Sequence, residues 1–136
     1  MLVPSLWKRF GSKSQMPGVK VNFAFSLRHP NSRQIQWKQI DILNWHVSFR
    51  SKGIINWSLY TSEGNWLETT CAVNLKDIPL RVQENYGSKY GIKELQHVYK
   101  IQMAQRTIYE VHWGNGIYDV KLLYDESGQI IGKMLS

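Results

Sequence analysis

The sequence predicts an α+β fold built as two tandem units, each ending in a four-stranded antiparallel meander, about eight strands in a sheet. Three observations predict it. The chain resembles itself at a shift of 64 positions, its strand-like segments alternate apolar and polar residues, and glycines fall where tight turns are needed. Trp45-His46-Val47-Ser48-Phe49 lies over Tyr109-Glu110-Val111-His112-Trp113. Further on, Leu59-Tyr60-Thr61-Ser62-Glu63-Gly64-Asn65-Trp66-Leu67 lies over Leu123-Tyr124-Asp125-Glu126-Ser127-Gly128-Gln129-Ile130-Ile131, in each case a strand, a polar turn ending in Gly and a second strand.

Between the paired segments, Ser51-Lys52-Gly53 and Gly114-Asn115-Gly116 supply hairpin turns, since glycine accepts the positive φ that such turns require. Gln34 to Ile40 and Ile92 to Met103 each read as one more strand ahead of a meander. Residues 77 to 91 have a different character. Ile78, Val82, Tyr86 and Tyr90 are four apart, Asp77 suits an N-cap, Pro79 suits the first turn and Gly91 suits a stop, which predicts an amphipathic helix. Residues 17 to 30 are ambiguous. Val19, Val21, Phe23, Phe25 and Leu27 alternate as in a strand, whereas the flanking Pro17 and Pro30 and the stripe Val21, Phe25, His29 suit a helix.

The pattern Pro17…Val21-x-x-Ala24-Phe25-x-x-x-His29-Pro30-x-x-x-x-Ile35-x-Trp37, then Trp45-x-Val47-x-Phe49 and Gly64-Asn65-Trp66-Leu67-Glu68-Thr69, resembles the PepSY-like, β-lactamase-inhibitor-like family. Ile78-Pro79, Val82, Tyr86, Tyr90, Tyr109-Glu110-Val111 and Tyr124-Asp125-x-x-Gly128 continue the likeness, which covers roughly residues 15 to 134. The resemblance implies that residues 17 to 29 are helical. Each unit is then one helix followed by a meander, with the two helices on one face of the sheet, unit one being 15–74 and unit two 75–136 after a basic arm at 1–14. Family members are commonly exported, and the usual aromatic before the first Pro is here His29. Resemblance to the inhibitors implies a binding sheet, and resemblance to PepSY domains implies peptidase inhibition.

Charge narrows the partners. The net charge of +7 on 136 residues invites a nucleic-acid reading, but Lys8, Arg9, Lys13, Lys20 and Arg28 place five of those seven charges in the first 30 residues, where no acid occurs. The remainder is nearly balanced. Nucleic acid is therefore disfavoured as a partner of the sheet, and an anionic surface could be met only by the arm through Lys8, Arg9 and Lys13. The single Cys71 excludes an internal disulfide, and no apolar run reaches the roughly 18 to 20 residues that span a bilayer. Basic residues follow rather than precede the first apolar segment, so the expectation is a cytoplasmic chain, or a periplasmic or envelope one if a leader has been removed or lies upstream.

Chemistry is not predicted. There is no nucleophile elbow, no phosphate loop and no ligand spacing among His29, His46, His97 and His112, so neither enzyme activity, metal nor cofactor is expected. The expected function is a non-catalytic protein-binding module, of inhibitor type, using the sheet face that the helices leave uncovered. The alternative is an electrostatic binder of nucleic acid or anionic membrane through the arm. Alternation puts Trp45, Val47, Phe49, Tyr109, Val111 and Trp113 under the helices and His46, Ser48, Arg50, Glu110 and His112 on the other face. Ile55, Trp57 and Leu59 join the second set if Ser58 and Tyr60 point inward, while a one-residue bulge would instead make Trp57 core. The candidate face is thus Trp57, Leu59, Ile55, Arg50, His46 and His112. The protein partner is unnamed by the sequence, and both a monomer and a strand-paired dimer are compatible with it.

Overall fold

A computed structural model describes residues 15–89, 95–114 and 119–135. The described residues form an α+β fold of eight strands and two α-helices, and within each unit the strands pair antiparallel in the order of the chain. The chain divides into two compact units, Met1–Cys71 and Ala72–Ser136.

The first unit contains α1 (Val19–Arg28), β1 (Arg33–Asp41), β2 (Asn44–Ser51), β3 (Ile54–Thr61) and β4 (Trp66–Ala72). The segment of ambiguous periodicity is thus a helix. Val21 and Phe25, one turn apart, are its buried residues, and the equally apolar Val19, Phe23 and Leu27 are exposed on its outer side. Phe25 meets Trp37 and Phe49 edge-on, at ring centroid distances of 5.3 and 5.0 Å, and Tyr60 at 6.2 Å. Those rings, with Trp45 and Val47, are the core of the unit. Register explains the selection. Trp45 pairs with Tyr60, Val47 with Ser58 and Phe49 with Asn56, so these side chains share the face under α1. At the C-terminal end of α1, Arg28 lies 3.5 Å above the Trp66 ring, a cation–π contact.

The second unit contains α2 (Leu80–Lys89), β5 (Leu95–Met103), β6 (Thr107–Gly114), β7 (Asp119–Tyr124) and β8 (Ile130–Leu135). Its core is Ile78, Val82 and Tyr86 against Val98, Tyr109, Val111, Val120, Leu122 and Tyr124, with Trp113 packed at the margin. The expected helix start needs correction. Residues Leu75–Asp77 form a 3₁₀ turn, and the carbonyl of Pro79 accepts the first helical bonds, from Val82 N at 3.0 Å and Gln83 N at 3.2 Å. Asp77 therefore does not cap α2, because the proline fixes an extended approach ahead of it. The expected stop at Gly91 and the turn residues Asn115 and Gly116 lie outside the described residues.

Each unit has a bulge at the start of its last strand. Leu59 pairs with Glu68 but Tyr60 with Trp66, leaving Leu67 extra, and Leu123 pairs with Gly132 but Tyr124 with Ile130, leaving Ile131 extra. The extra residue turns Trp66 and Ile130 onto their respective cores. The turns ahead of these strands press on the helices. A Cβ at Gly64 (φ +90°) would stand 2.8 Å from the Lys20 carbonyl oxygen, and one at Gly128 (φ +87°) 2.7 Å from that of Arg81. Both strain and contact exclude a side chain. Gly64→Ala and Gly128→Ala are each expected to cost roughly 2–4 kcal/mol in urea denaturation. The two-residue turn Lys52-Gly53 has φ of 54° and 79°, a geometry that favours Asn-Gly. Lys52→Asn should raise stability, by about 0.5 kcal/mol in the same assay.

Candidate functional site

In the first unit the face away from α1 is laid out in three rows across the strands. Arg33, Arg50 and Ile55 form one, Gln36, Ser48, Trp57 and Thr70 the next, and Lys38, His46, Leu59 and Glu68 the third. The β2–β3 ladder is continuous from Asn44–Thr61 to Ser51–Ile54, so no bulge moves Trp57 to the core side. Ile55, Trp57 and Leu59 therefore share a face with Arg50, Ser48 and His46.

That face is unevenly open. Arg50 and Ile55 are exposed, Trp57 and Leu59 are half-buried, and Lys38, His46, Glu68 and Thr70 are buried. His46 was expected among the contact residues, but it is wholly inaccessible and can only support its neighbours. Burial pushes its pKa down to about 4, so the ring is neutral near pH 7. The accessible part of the candidate site is the corner formed by Arg50, Ile55 and the rims of Trp57 and Leu59. Arg50 is held there by a bond from its Nη1 to the Gly53 carbonyl oxygen, 3.0 Å. On the other face, Ser58 and Thr69 share a hydroxyl bond of 2.6 Å, and Trp66 Nε1 donates to Thr69 Oγ1 at 2.8 Å. These bonds satisfy polar groups that would otherwise be buried unpaired.

His112 belongs to the second unit. Its Nε2 lies 2.9 Å from Oε2 of Glu110, a carboxylate with no exposed surface. Register puts Tyr99 opposite Glu110 and His97 opposite His112. The Tyr99 and His112 rings stand 5.1 Å apart, and His97 is 6.1 Å from both. Burial, and then the charge of Glu110, push the Tyr99 phenol up. This cluster was half legible: alternation placed Glu110 and His112 together, but His97 and Tyr99 required the register of β5. The arm residues Lys8, Arg9 and Lys13 lie outside the described residues.

Among the described residues, no three His, Cys, Asp or Glu side chains are placed to hold a metal ion, and no helix is long and apolar enough to cross a membrane. Cys71, the single cysteine of the sequence, is half-buried on β4. The outer edge of β1 is partly occupied, since Gln15 N donates to the Trp37 carbonyl oxygen (2.8 Å) and Gln39 N to Gln15 Oε1 (2.6 Å).

No protein-family model and no curated protein sequence matches the chain. Solved structures do match. A proposed periplasmic protein from Bacteroides eggerthii superposes with a TM-score of 0.81 at 17% identity, over 89% of this chain and 90% of that one. A DUF2874 family protein from Bacteroides ovatus gives 0.81 at 18%, over 90% and 89%. A BLIP-like protein from Bacteroides fragilis gives 0.79 at 20%, over 89% and 87%. At these identities the likeness is one of fold, and the fold is the BLIP-like, β-lactamase-inhibitor-like one.

The buried His46 gives the protein a pH signature. Its folded pKa is below its unfolded value, so the unfolded chain takes up the proton first as pH falls. Stability should be complete above about pH 6.5 and fall towards about pH 4, by an amount on the order of 3 kcal/mol. Burial also lowers the pKa of His29, as does the adjacent Arg28 charge, and it acts in the same direction. Urea denaturation across this range is expected to show a flatter pH slope in His46→Gln than in the parent protein.

Proposed function

We propose that the chain is a non-catalytic protein-binding module, of the type that inhibits a peptidase or another enzyme, and that it binds through the first unit's sheet face. The observation that carries this reading is the accessible corner of Arg50 and Ile55 continuing into half-buried Trp57 and Leu59, on the face that α1 leaves uncovered. A large aromatic beside an aliphatic stripe and a guanidinium is the composition of an interface hot spot. The BLIP-like neighbour supports it by fold alone. His112, with Glu110 and Tyr99, is the corresponding candidate of the second unit.

The two helix-plus-meander units are read as copies of one ancestral unit. Supporting this, each has a bulge at the start of its last strand and a turn glycine seated on its helix. An envelope location is proposed over a cytoplasmic one, on the strength of the periplasmic description of one neighbour. The electrostatic alternative, through Lys8, Arg9 and Lys13, rests on sequence charge and predicts binding that falls steeply with salt.

The test begins with a photo-crosslinking residue at position 59, compared with one at position 27 on the outer side of α1, to identify the partner. Titration of the purified pair follows. Trp57→Ala is expected to weaken binding by about 2 kcal/mol, or roughly thirtyfold. Equal dissociation constants for Trp57→Ala and the parent protein would remove this face from the interface.

A further inference from the structure

The corner of the first unit where β1 enters the sheet has an arrangement that strand pairing alone does not explain. Arg33 stands directly opposite Arg50 in the β1–β2 ladder. Like charges placed opposite each other across an antiparallel pair repel. Beyond them β1 advances three residues, Arg33 to Gln36, while β2 advances two, Arg50 to Ser48. The extra residue is accommodated by a bulge in which Gln34 takes a φ of 53°, a left-handed conformation costly for a residue with a Cβ.

The bulge opens two adjoining clefts that share Gln34 and Arg50. One, of about 560 Å³, is lined by Arg33, Arg50 and Lys52 with Asn31. The other, of about 490 Å³, is lined by Gln36, Ser48 and Arg50 with Ile35 and Ile55. Among the described residues, no acidic side chain lines either cleft. The side chains of Arg33 and Lys52 make no hydrogen bond or ion pair among the described residues, while Arg50 is tethered at the turn by its bond to Gly53. Three cations are therefore gathered with no counter-charge among the described residues, beside exposed aliphatic surface on Ile35 and Ile55.

We propose that this corner binds a small organic carboxylate. The carboxylate is held between the guanidinium groups of Arg33 and Arg50, with Lys52 adding charge, and the apolar body lies along Ile35 and Ile55. Guanidinium offers a planar, two-pronged donor matched to a carboxylate, and the cleft volumes lie in the range of small-ligand sites. A bound anion would also relieve the repulsion between the facing arginines. The site needs no protein partner, so it stands or falls separately from the proposed interface, although it shares Arg50 and Ile55 with it.

The test is an amide-resolved NMR titration of the full chain with hexanoate, its neutral analogue hexanamide and inorganic phosphate. Hexanoate should give saturable shifts confined to residues 33–36 and 50–55, with a dissociation constant of about 1 mM or below. Hexanamide and phosphate should each bind at least about fivefold more weakly, the first for want of charge and the second for want of an apolar body. Arg33→Gln and Arg50→Gln should each weaken hexanoate about tenfold while leaving the amide spectrum folded, and Arg33→Lys should recover part of the loss. Trp57→Ala should leave the titration unchanged, which separates this site from the interface. Absence of saturable shifts with hexanoate overturns the proposal. So does equal affinity for hexanamide or phosphate, or indifference to both arginine substitutions.

Discussion

In each unit a single ten-residue helix covers one face of four strands, and everything else follows from the alternation of side chains across those strands. A residue on β2 or β6 is committed to the helix or to the opposite face by its parity alone. The helix side can therefore be filled only by every second residue, and large rings fill it. Phe25 supplies the key contact in the first unit, its ring set among Trp37, Phe49 and Tyr60, and Tyr86 stands in a fully buried position in the second. The high aromatic content is a consequence of having few inward positions and little helix to cover them.

The same parity leaves the other face without a helix on it, but the face is not uniformly accessible. Lys38, His46, Glu68 and Thr70 are buried there, and accessibility rises only towards Arg50 and Ile55. His46, whose proton is withheld by burial, adds no charge to the buried end beside Lys38 and Glu68, whereas the accessible end carries Arg33, Arg50 and Lys52.

Much of this was legible in the sequence for a physical reason. Turn glycines and strict alternation are local constraints, so the strands around Trp45–Phe49 and Tyr109–Trp113 and the inward sets could be written down from residue types. The segment 17–30 was not, because α1 has apolar residues on its outer side as well: Val19, Phe23 and Leu27 fill in the alternation that Val21 and Phe25 begin. The start of α2 was misplaced because Pro79 is as acceptable just before a helix as within its first turn. Burial of His46 and the grouping of His97 with Tyr99 and His112 depend on cross-strand register and neighbouring bulk, which single-segment patterns do not encode. The bulge at Gln34 was equally hidden, since glutamine gives no sign of a left-handed backbone.

The two ends of the first unit's hairpins are fastened differently. At one end Gly64 rests on α1, Ser62 N and Oγ bond to the carbonyls of Leu43 and Ile42, and Lys20 reaches Glu63 at 3.0 Å. At the other, the turn at Lys52 and Gly53 has open space around it, a left-handed residue on each of β1 and the turn, and a pair of facing arginines. Opening of the strands should then propagate from the second end like a zipper with one stop sewn shut, and amide exchange would be fastest beside the cationic clefts. A ligand seated there would act as the missing stop, so occupancy would be felt along β1 and β2 as added rigidity rather than as a change of shape.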